Sequence, residues 1–364
     1  MSKFGIYIHW PYCLSKCPYC DFASSVCKAV DEDALLAGYQ RDLEKTAELV
    51  NAKAPAGKRT VTSVFFGGGT PSLMSLGMTE KLLTQIDKLF ALCKTAEISM
   101  EANPDAIDLE KMQALKSLGI NRLSLGVQAL NDADLRFLGR RYTLKTALTR
   151  IEQMHKVFDN CSIDLIYARA NQTLNAWRQE LGQALAFGLP HLSLYQLTIE
   201  EGTVFERHKV EGADDEQARA LYLETLQMTD KAGIPLYEVS NFAKSGFECW
   251  HNLLYWQGDD YAGIGPAAHG RLGLIATENP RQVKAWLTQG GAQTLLSEKE
   301  RFEEKLLMGL RLKKGMSALG LNPTKIDEMV GRGWLHYDAR ANWIAPTLEG
   351  LLMLNQLILE LLPD

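Results

Sequence analysis

Residues 13–20 read Cys-Leu-Ser-Lys-Cys-Pro-Tyr-Cys, three cysteines spaced C-x3-C-x2-C with no fourth nearby at metal-ligand spacing. Three thiolates hold three corners of a [4Fe–4S] cube and leave the fourth iron free to bind a substrate or cofactor. A structural zinc site takes four Cys or His ligands. The nearest extra candidates, His9 and Cys27, sit at no zinc-knuckle spacing. A disulfide reading leaves one of the three cysteines over. The chain must therefore present Cys13, Cys17 and Cys20 together on one short loop.

The loop follows a short apolar run, and the chain continues as an alternation of such runs with long helical stretches. The composition predicts strands at Gly5–Trp10, Val61–Phe66, Glu97–Glu101, Arg122–Val127, Ser162–Tyr167 and Leu192–Leu197. Helical periodicity predicts helices at Asp33–Val50, Met78–Leu92, Leu109–Leu118, Leu144–Phe158, Leu174–Phe187 and Asp214–Ala232. Successive βα units imply parallel strands with right-handed crossovers, and strands this apolar are expected to be covered on both faces. A doubly wound open sheet and an incomplete barrel fit this pattern equally. In barrels, function gathers at the C-terminal ends of strands. The cysteine loop follows the first strand, Gly67-Gly68-Gly69-Thr70-Pro71 the second and Glu101-Ala102-Asn103-Pro104 the third, while Gln128 ends the fourth and Asp164 lies in the fifth.

Past about Glu200 the pattern changes. Tyr237–Arg271 is rich in Gly, His and aromatics and reads as strands and loops. Helical segments at Lys305–Leu312 and Pro323–Val330 follow. Then Trp334–Tyr337 and Asn342–Ala345 flank a hairpin turn, and a last helix is expected over Leu348–Leu362 behind Thr347. With 364 residues, 46% hydrophobic and 23% charged, there is room for one large α/β domain and a smaller one. The net charge of −5 gives no reason to expect a nucleic-acid surface. No apolar run approaches a membrane span, which leaves peripheral membrane contact as the membrane role open to the chain. The residues before Cys13 are too few and too polar for a signal peptide. Seven cysteines without a secretory signal suit a reducing compartment, so a cytoplasmic location is expected.

The string Tyr7–Phe22, YIHWPYCLSKCPYCDF, resembles the radical S-adenosylmethionine (SAM) superfamily and, within it, the oxygen-independent coproporphyrinogen III oxidase-like family. That resemblance implies an incomplete (β/α)6 barrel, a [4Fe–4S] cluster on Cys13, Cys17 and Cys20, and a SAM site. By position, Gly68, Gly69 and Thr70 match the loop that contacts the amino end of SAM; such glycines otherwise serve only as a tight turn. Glu101, Gln128, Arg140 and Asp164 match further SAM-site positions. Glu101 suits a ribose hydroxyl and Arg140 the SAM carboxylate, with Arg141 a rival for that role. Tyr7 and Tyr19 flank the cluster, Tyr19 beside the adenine or shielding the cluster. One departure is Ala168-Arg169-Ala170-Asn171, where the family shows a Gly- or Pro-containing turn; Asn tolerates positive φ in place of Gly.

His251-Asn252-Leu253-Leu254-Tyr255-Trp256 matches the HNxxYW motif of the haem-chaperone (HemW) branch. The branch resemblance implies binding of haem alongside the cluster and SAM, and delivery of haem to acceptor proteins such as respiratory enzymes. His251 offers an imidazole to iron, with His269 and Cys249 as rivals, and Tyr255 and Trp256 offer flat apolar surface. The motif lies outside the six βα units, so haem and SAM need not share a cavity. A core histidine is the plainer use of such a residue. The alternatives are a coproporphyrinogen III dehydrogenase, which uses the same cluster to make a 5′-deoxyadenosyl radical, and a redox-sensing Fe–S protein without SAM chemistry. The dehydrogenases carry an extension before the cluster motif and a further cysteine two positions past its third; here twelve residues precede Cys13, and Phe22 stands at the latter position. The expected organisation is a partial barrel over 1–232, a connecting segment with the haem motif over 233–297 and a mainly helical, winged-helix-like domain over 298–364.

Overall fold

The computed structural model describes residues 3–27, 29–52 and 57–363. Six strands, β1 (Phe4–Trp10), β2 (Thr60–Gly68), β3 (Ala91–Ala102), β4 (Arg122–Gln128), β5 (Asn160–Tyr167) and β6 (His191–Gln196), run parallel, each hydrogen-bonded to the next. Beyond β6 the sheet gains the short antiparallel strands β7 (Leu236–Glu238) and β8 (Asn241–Ala243). Beside β1 lies β9 (Asp260–Ile264), parallel to it, followed by the antiparallel β10 (His269–Leu272), β11 (Ile275–Glu278) and β12 (Ala292–Leu295). The order is β12-β11-β10-β9-β1-β2-β3-β4-β5-β6-β8-β7, so the sheet curls without closing and forms a partial barrel.

The helices Glu32–Asn51, Leu76–Leu89, Leu109–Ser117, Leu144–Val157, Leu174–Ala186 and Asp215–Lys231 cover the outside. Each starts where a βα loop delivers a capping side chain: Asp31, Ser75, Asp108, Thr143, Thr173 and Asp214 each accept from a backbone N–H of the first turn. Their apolar stripes meet one face of the strands, through Phe4, Ile6, Ile8, Val64, Phe66, Leu123, Leu125, Ile163, Leu165, Leu192 and Leu194, all buried.

The sequence predicted strands covered on both faces; helices cover only the outer one, and the inner face is largely polar. Side chains alternate along a strand, and the second face carries Tyr7, His9, Ser63, Phe65, Glu97, Ser99, Glu101, Arg122, Ser124, Ser162, Asp164, His191 and Ser193. These line the inside of the curl and bond one another across strands: Ser124 Oγ lies 2.6 Å from Ser162 Oγ and 2.9 Å from Asp164 Oδ1. Arg122 Nη2 lies 3.3 Å from Ser162 Oγ. Most buried polar groups are hydrogen-bonded, and for Ser124, Ser162, Asp164 and one nitrogen of Arg122 neighbouring strands supply the partners.

Two further features depart from expectation. HNLLYW is not loop but the short helix Trp250–Trp256, and the last helix breaks at Met353 into Leu348–Leu352 and Leu354–Leu361. The helix Glu298–Gly309, the helix Pro323–Gly331, the hairpin Leu335–Asp338/Trp343–Pro346 and that final pair surround a second core of Leu306, Leu310, Ile326, Met329, Leu335, Ile344, Leu357 and Ile358. Among the described residues no helix is long and apolar enough to cross a membrane.

The divergent turn after β5 is held by charge. Ala168 and Asn171 take φ of 57° and 60°. Between them Arg169, 2% exposed, donates to Ile166 O, to Asp134 at 2.8 Å and to the buried Glu180. Removing one partner of a buried pair leaves an uncompensated charge, at a cost of roughly 3–5 kcal/mol. Glu180→Ala should therefore lower the urea midpoint by an amount of that order, while Glu224→Ala, which breaks the surface pair with Arg178, should cost under about 1 kcal/mol.

Candidate functional site

The cysteine loop leaves β1 at Trp10 and crosses the C-terminal mouth of the barrel. Tyr12–Cys13 pairs with Ser25–Val26, which closes the loop at its base. Inside it Cys20 N donates to Cys17 O at 3.2 Å, and Lys16 Nζ reaches back to Phe22 O at 2.6 Å and Ser24 Oγ at 3.1 Å. Cys13, Cys17 and Cys20 are unbridged and half-exposed. Together with Tyr19 they form one wall of a cavity of about 360 Å³. Burial raises the Cys20 thiol, and the Lys16 ammonium opposes the rise.

Gly68, Gly69, Thr70, Glu101, Gln128, Arg140 and Asp164 also line it, so the structure brings all the residues expected at the cluster and SAM sites into one cavity except Tyr7. The glycine loop is zipped to the base of the cysteine loop: Gly69 N donates to Trp10 O at 2.7 Å and Thr70 N to Tyr12 O at 2.8 Å. A Cβ at Gly69 would stand 2.5 Å from Tyr12 O, so only glycine allows this approach. Gln128 sits at a bulge in β4 with φ 71°.

Arg140 ties the two sides together. Its Nη1 lies 3.1 Å from Cys17 Sγ, its Nη2 donates to Asn103 Oδ1 at 2.7 Å and Gly126 O at 2.9 Å, and its Nε to Tyr142 OH at 3.0 Å. Asn103 Nδ2 in turn donates to Thr70 Oγ1 at 3.0 Å. Arg141 also lines the cavity, but it donates to Leu14 O at 3.3 Å and is exposed. The sequence reading gave no role to Asn103, Tyr142 or Tyr195. Asn103 lies within the Glu101–Pro104 motif, and Tyr195 shares the inward alternation of Ser193, so both carried a signal.

Glu101 and Asp164 stand on the same floor. Glu101 is pushed up to about 8, by burial and then by the charge of Asp164, while Gly68 N, donating to Oε2 at 3.3 Å, opposes the rise. Burial also raises Asp164 against the hydrogen bonds of Ser124 and Ser193.

Tyr7 lies beneath the glycine loop rather than in the cavity. His251 lies deeper still, 1% exposed. Its Nδ1 is 2.9 Å from Ser63 Oγ and its Nε2 2.8 Å from Tyr255 OH, so both ring nitrogens are engaged. Burial pushes the ring down to about 3, so it is neutral. Cys249 is equally buried, whereas His269 is exposed.

The family model that matches residues 7–179 is that of the radical SAM superfamily. The chain is 32% identical to the haem chaperone HemW of Bacillus subtilis (strain 168), over 96% of this chain and 97% of that one. The chain belongs to the HemW family of radical SAM proteins. A HemW from Buchnera aphidicola (subsp. Acyrthosiphon pisum) is 38% identical over 78% of this chain and 74% of its own length. The mitochondrial radical S-adenosyl methionine domain-containing protein 1 of Bos taurus is 33% identical over 99% of this chain and 88% of its own. Among solved structures, the coproporphyrinogen III oxidase HemN of Escherichia coli superposes with a TM-score of 0.81 at 20% identity, covering 99% of this chain and 90% of that one, and so shares the fold.

The HemW-family cavity suits the cofactors of the superfamily. Among the described residues no three Cys, His, Asp or Glu side chains converge on one metal ion. Three soft thiols spread along one wall instead suit an iron each of a cluster. When bound, such a cluster offers an open iron and one-electron chemistry. The residues of this chain hold Arg140 against Cys17 and keep Glu101 and Asp164 inside the cavity.

Two outcomes are expected. Changing Cys13, Cys17 or Cys20 to Ser should remove most iron after anaerobic reconstitution, while Cys27→Ser, Cys93→Ser, Cys161→Ser and Cys249→Ser keep it, as read by iron and sulfide analysis. Between about pH 5 and 8 the folded chain holds a proton on Glu101 that the unfolded chain releases. Stability from this group is therefore full at the acid end and lost as pH rises through 8. Glu101→Gln should flatten that fall, as read from urea midpoints of cluster-free protein at pH 5.5 and 8.

Proposed function

We propose that this protein is a haem chaperone: it binds haem, a [4Fe–4S] cluster and SAM, and delivers haem to acceptor proteins, in the cytoplasm. The observation that carries the reading is similarity over 96% of the chain to a haem chaperone HemW. In this reading Cys13, Cys17 and Cys20 hold the cluster. Gly68, Gly69, Thr70, Glu101, Gln128, Arg140 and Asp164 hold SAM, with Tyr19 closing the adenine side and Tyr7 supporting from below. Arg140, anchored on Asn103 and Gly126 O, is the cation for the SAM carboxylate.

We assign the axial bond to haem iron to His251. Because both its nitrogens are engaged, the helix Trp250–Trp256 has to lift for iron to reach it. His269 is the rival that needs no such movement. A dehydrogenase would share the fold, but the position two past Cys20 is Phe22.

The deciding experiment reconstitutes the cluster anaerobically and assays the same sample for haem binding and for coproporphyrinogen III turnover. Saturable haem binding without release of carbon dioxide is the expected result; steady release would return the chain to the dehydrogenases. Haem spectra of His251→Ala and His269→Ala, taken side by side, should be altered in the first and not the second. The reverse moves the ligand to His269.

A further inference from the structure

The glycine loop rests on a column of rings whose base is the HNLLYW helix. A Cβ at Gly67 would stand 2.8 Å from Tyr7 Cε2, and one at Gly68 2.6 Å from His9 Cε1, so the loop lies directly on these two rings. Tyr7 OH meets His9 Nδ1 at 3.1 Å, and His9 Nε2 meets Ala23 O, in the bend before the strand Ser25–Val26, at 2.9 Å. Tyr7 stacks on His251 with ring centroids 6.2 Å apart and planes at 29°. Phe65 stacks on the same imidazole at 5.2 Å and 23°.

The base of the column is fixed from three sides. Ser63 and Tyr255 hold the two ring nitrogens of His251. Glu97 Oε1 accepts from Trp250 N at 3.0 Å and His251 N at 3.4 Å, which anchors the start of the helix to β3. Tyr255 is wedged against His251 at 4.7 Å and against Tyr261 of β9 at 4.4 Å. Close-packed side chains transmit displacement because there is no void to absorb it. A continuous set of contacts thus runs from the imidazole through Tyr7 and His9 to Gly67, Gly68 and the cysteine loop at Ala23.

We propose that His251 is a positioning residue for SAM: through Tyr7 and His9 it sets the glycine loop at the height the cavity requires. The proposal rests on the reading of this cavity as the SAM site and is independent of the assignment of the haem ligand.

The test is calorimetric titration of SAM into anaerobically reconstituted, haem-free protein. His251→Ala should bind SAM at least about fivefold more weakly, on the order of one lost hydrogen bond, with iron content unchanged. His251→Phe keeps the rings stacked and should recover most of that loss. Tyr255→Phe, which removes one partner of the imidazole and conserves the packing, should give a smaller loss of the same sign, and it serves where His251→Ala fails to fold. Leu221→Ala, buried in the outer helix layer, controls for general destabilisation and should leave SAM affinity unchanged. Affinity within twofold of wild type in both His251→Ala and Tyr255→Phe, or an equal loss in Leu221→Ala, overturns the proposal alone. Absence of SAM binding by the wild type overturns the reading of the cavity and the proposal with it.

Discussion

Helices seal one face of the six parallel strands with apolar side chains, and that seal is what frees the other face to be polar. Most of the chain's burial is supplied outside the barrel, by Phe4, Ile6, Ile8 and their counterparts on the later strands. The inside can then hold Glu97, Arg122, Asp164 and His191, groups that an apolar interior would reject unless paired. Each finds at least one partner inside the barrel. Asp164 takes Ser124, Arg122 takes Ser162 and the charges of Glu97 and Asp164, and His191 Nε2 takes Tyr237 OH at 3.0 Å.

The two ends of this polar interior are used differently. At the C-terminal mouth, loops carry the cysteines, the glycines and Arg140 around an open cavity. At the other end the helix Trp250–Trp256 caps the interior and presents His251 upward between Ser63, Phe65 and Tyr7. It also meets the second module: Arg311 stands 6.0 Å over the Trp256 ring. The HNLLYW helix is therefore the floor of the barrel and its joint with the C-terminal module.

The strands and outer helices were legible because their signals are local: short β-branched runs, capping residues at each βα junction, and stretches long enough to show a helical period. The cysteine spacing pointed to the radical SAM superfamily for the same reason. The HNLLYW helix was not legible. Seven residues show little period, and Cys249 at its N-cap makes no capping bond. The cap is supplied by Glu97, more than 150 positions away in sequence, a relation no window along the chain contains. The inward alternation was present in GIYIHW, RLSLGV and SIDLIY, but the apolar residues of each run masked it. Tyr7 was near the site in sequence and beneath it in space, because odd positions of β1 face inward while the loop turns away above them.

A ring column shared by two sites has a thermodynamic consequence. Linkage requires that if drawing His251 onto iron changes the affinity for SAM, SAM changes the affinity for haem by the same factor. With His251 in place the column supports the glycine loop, and SAM bound above favours that arrangement. Lifting the helix to expose the imidazole would remove the support and forfeit the bonds to Ser63 and Glu97. On the assignments argued above, haem held by His251 and SAM held by the glycine loop therefore oppose each other although no atom of one need touch the other. On the haem-chaperone reading proposed above, a filled upper cavity would favour His251 on the floor over His251 on iron, and would so favour passing the haem to the acceptor's own ligand.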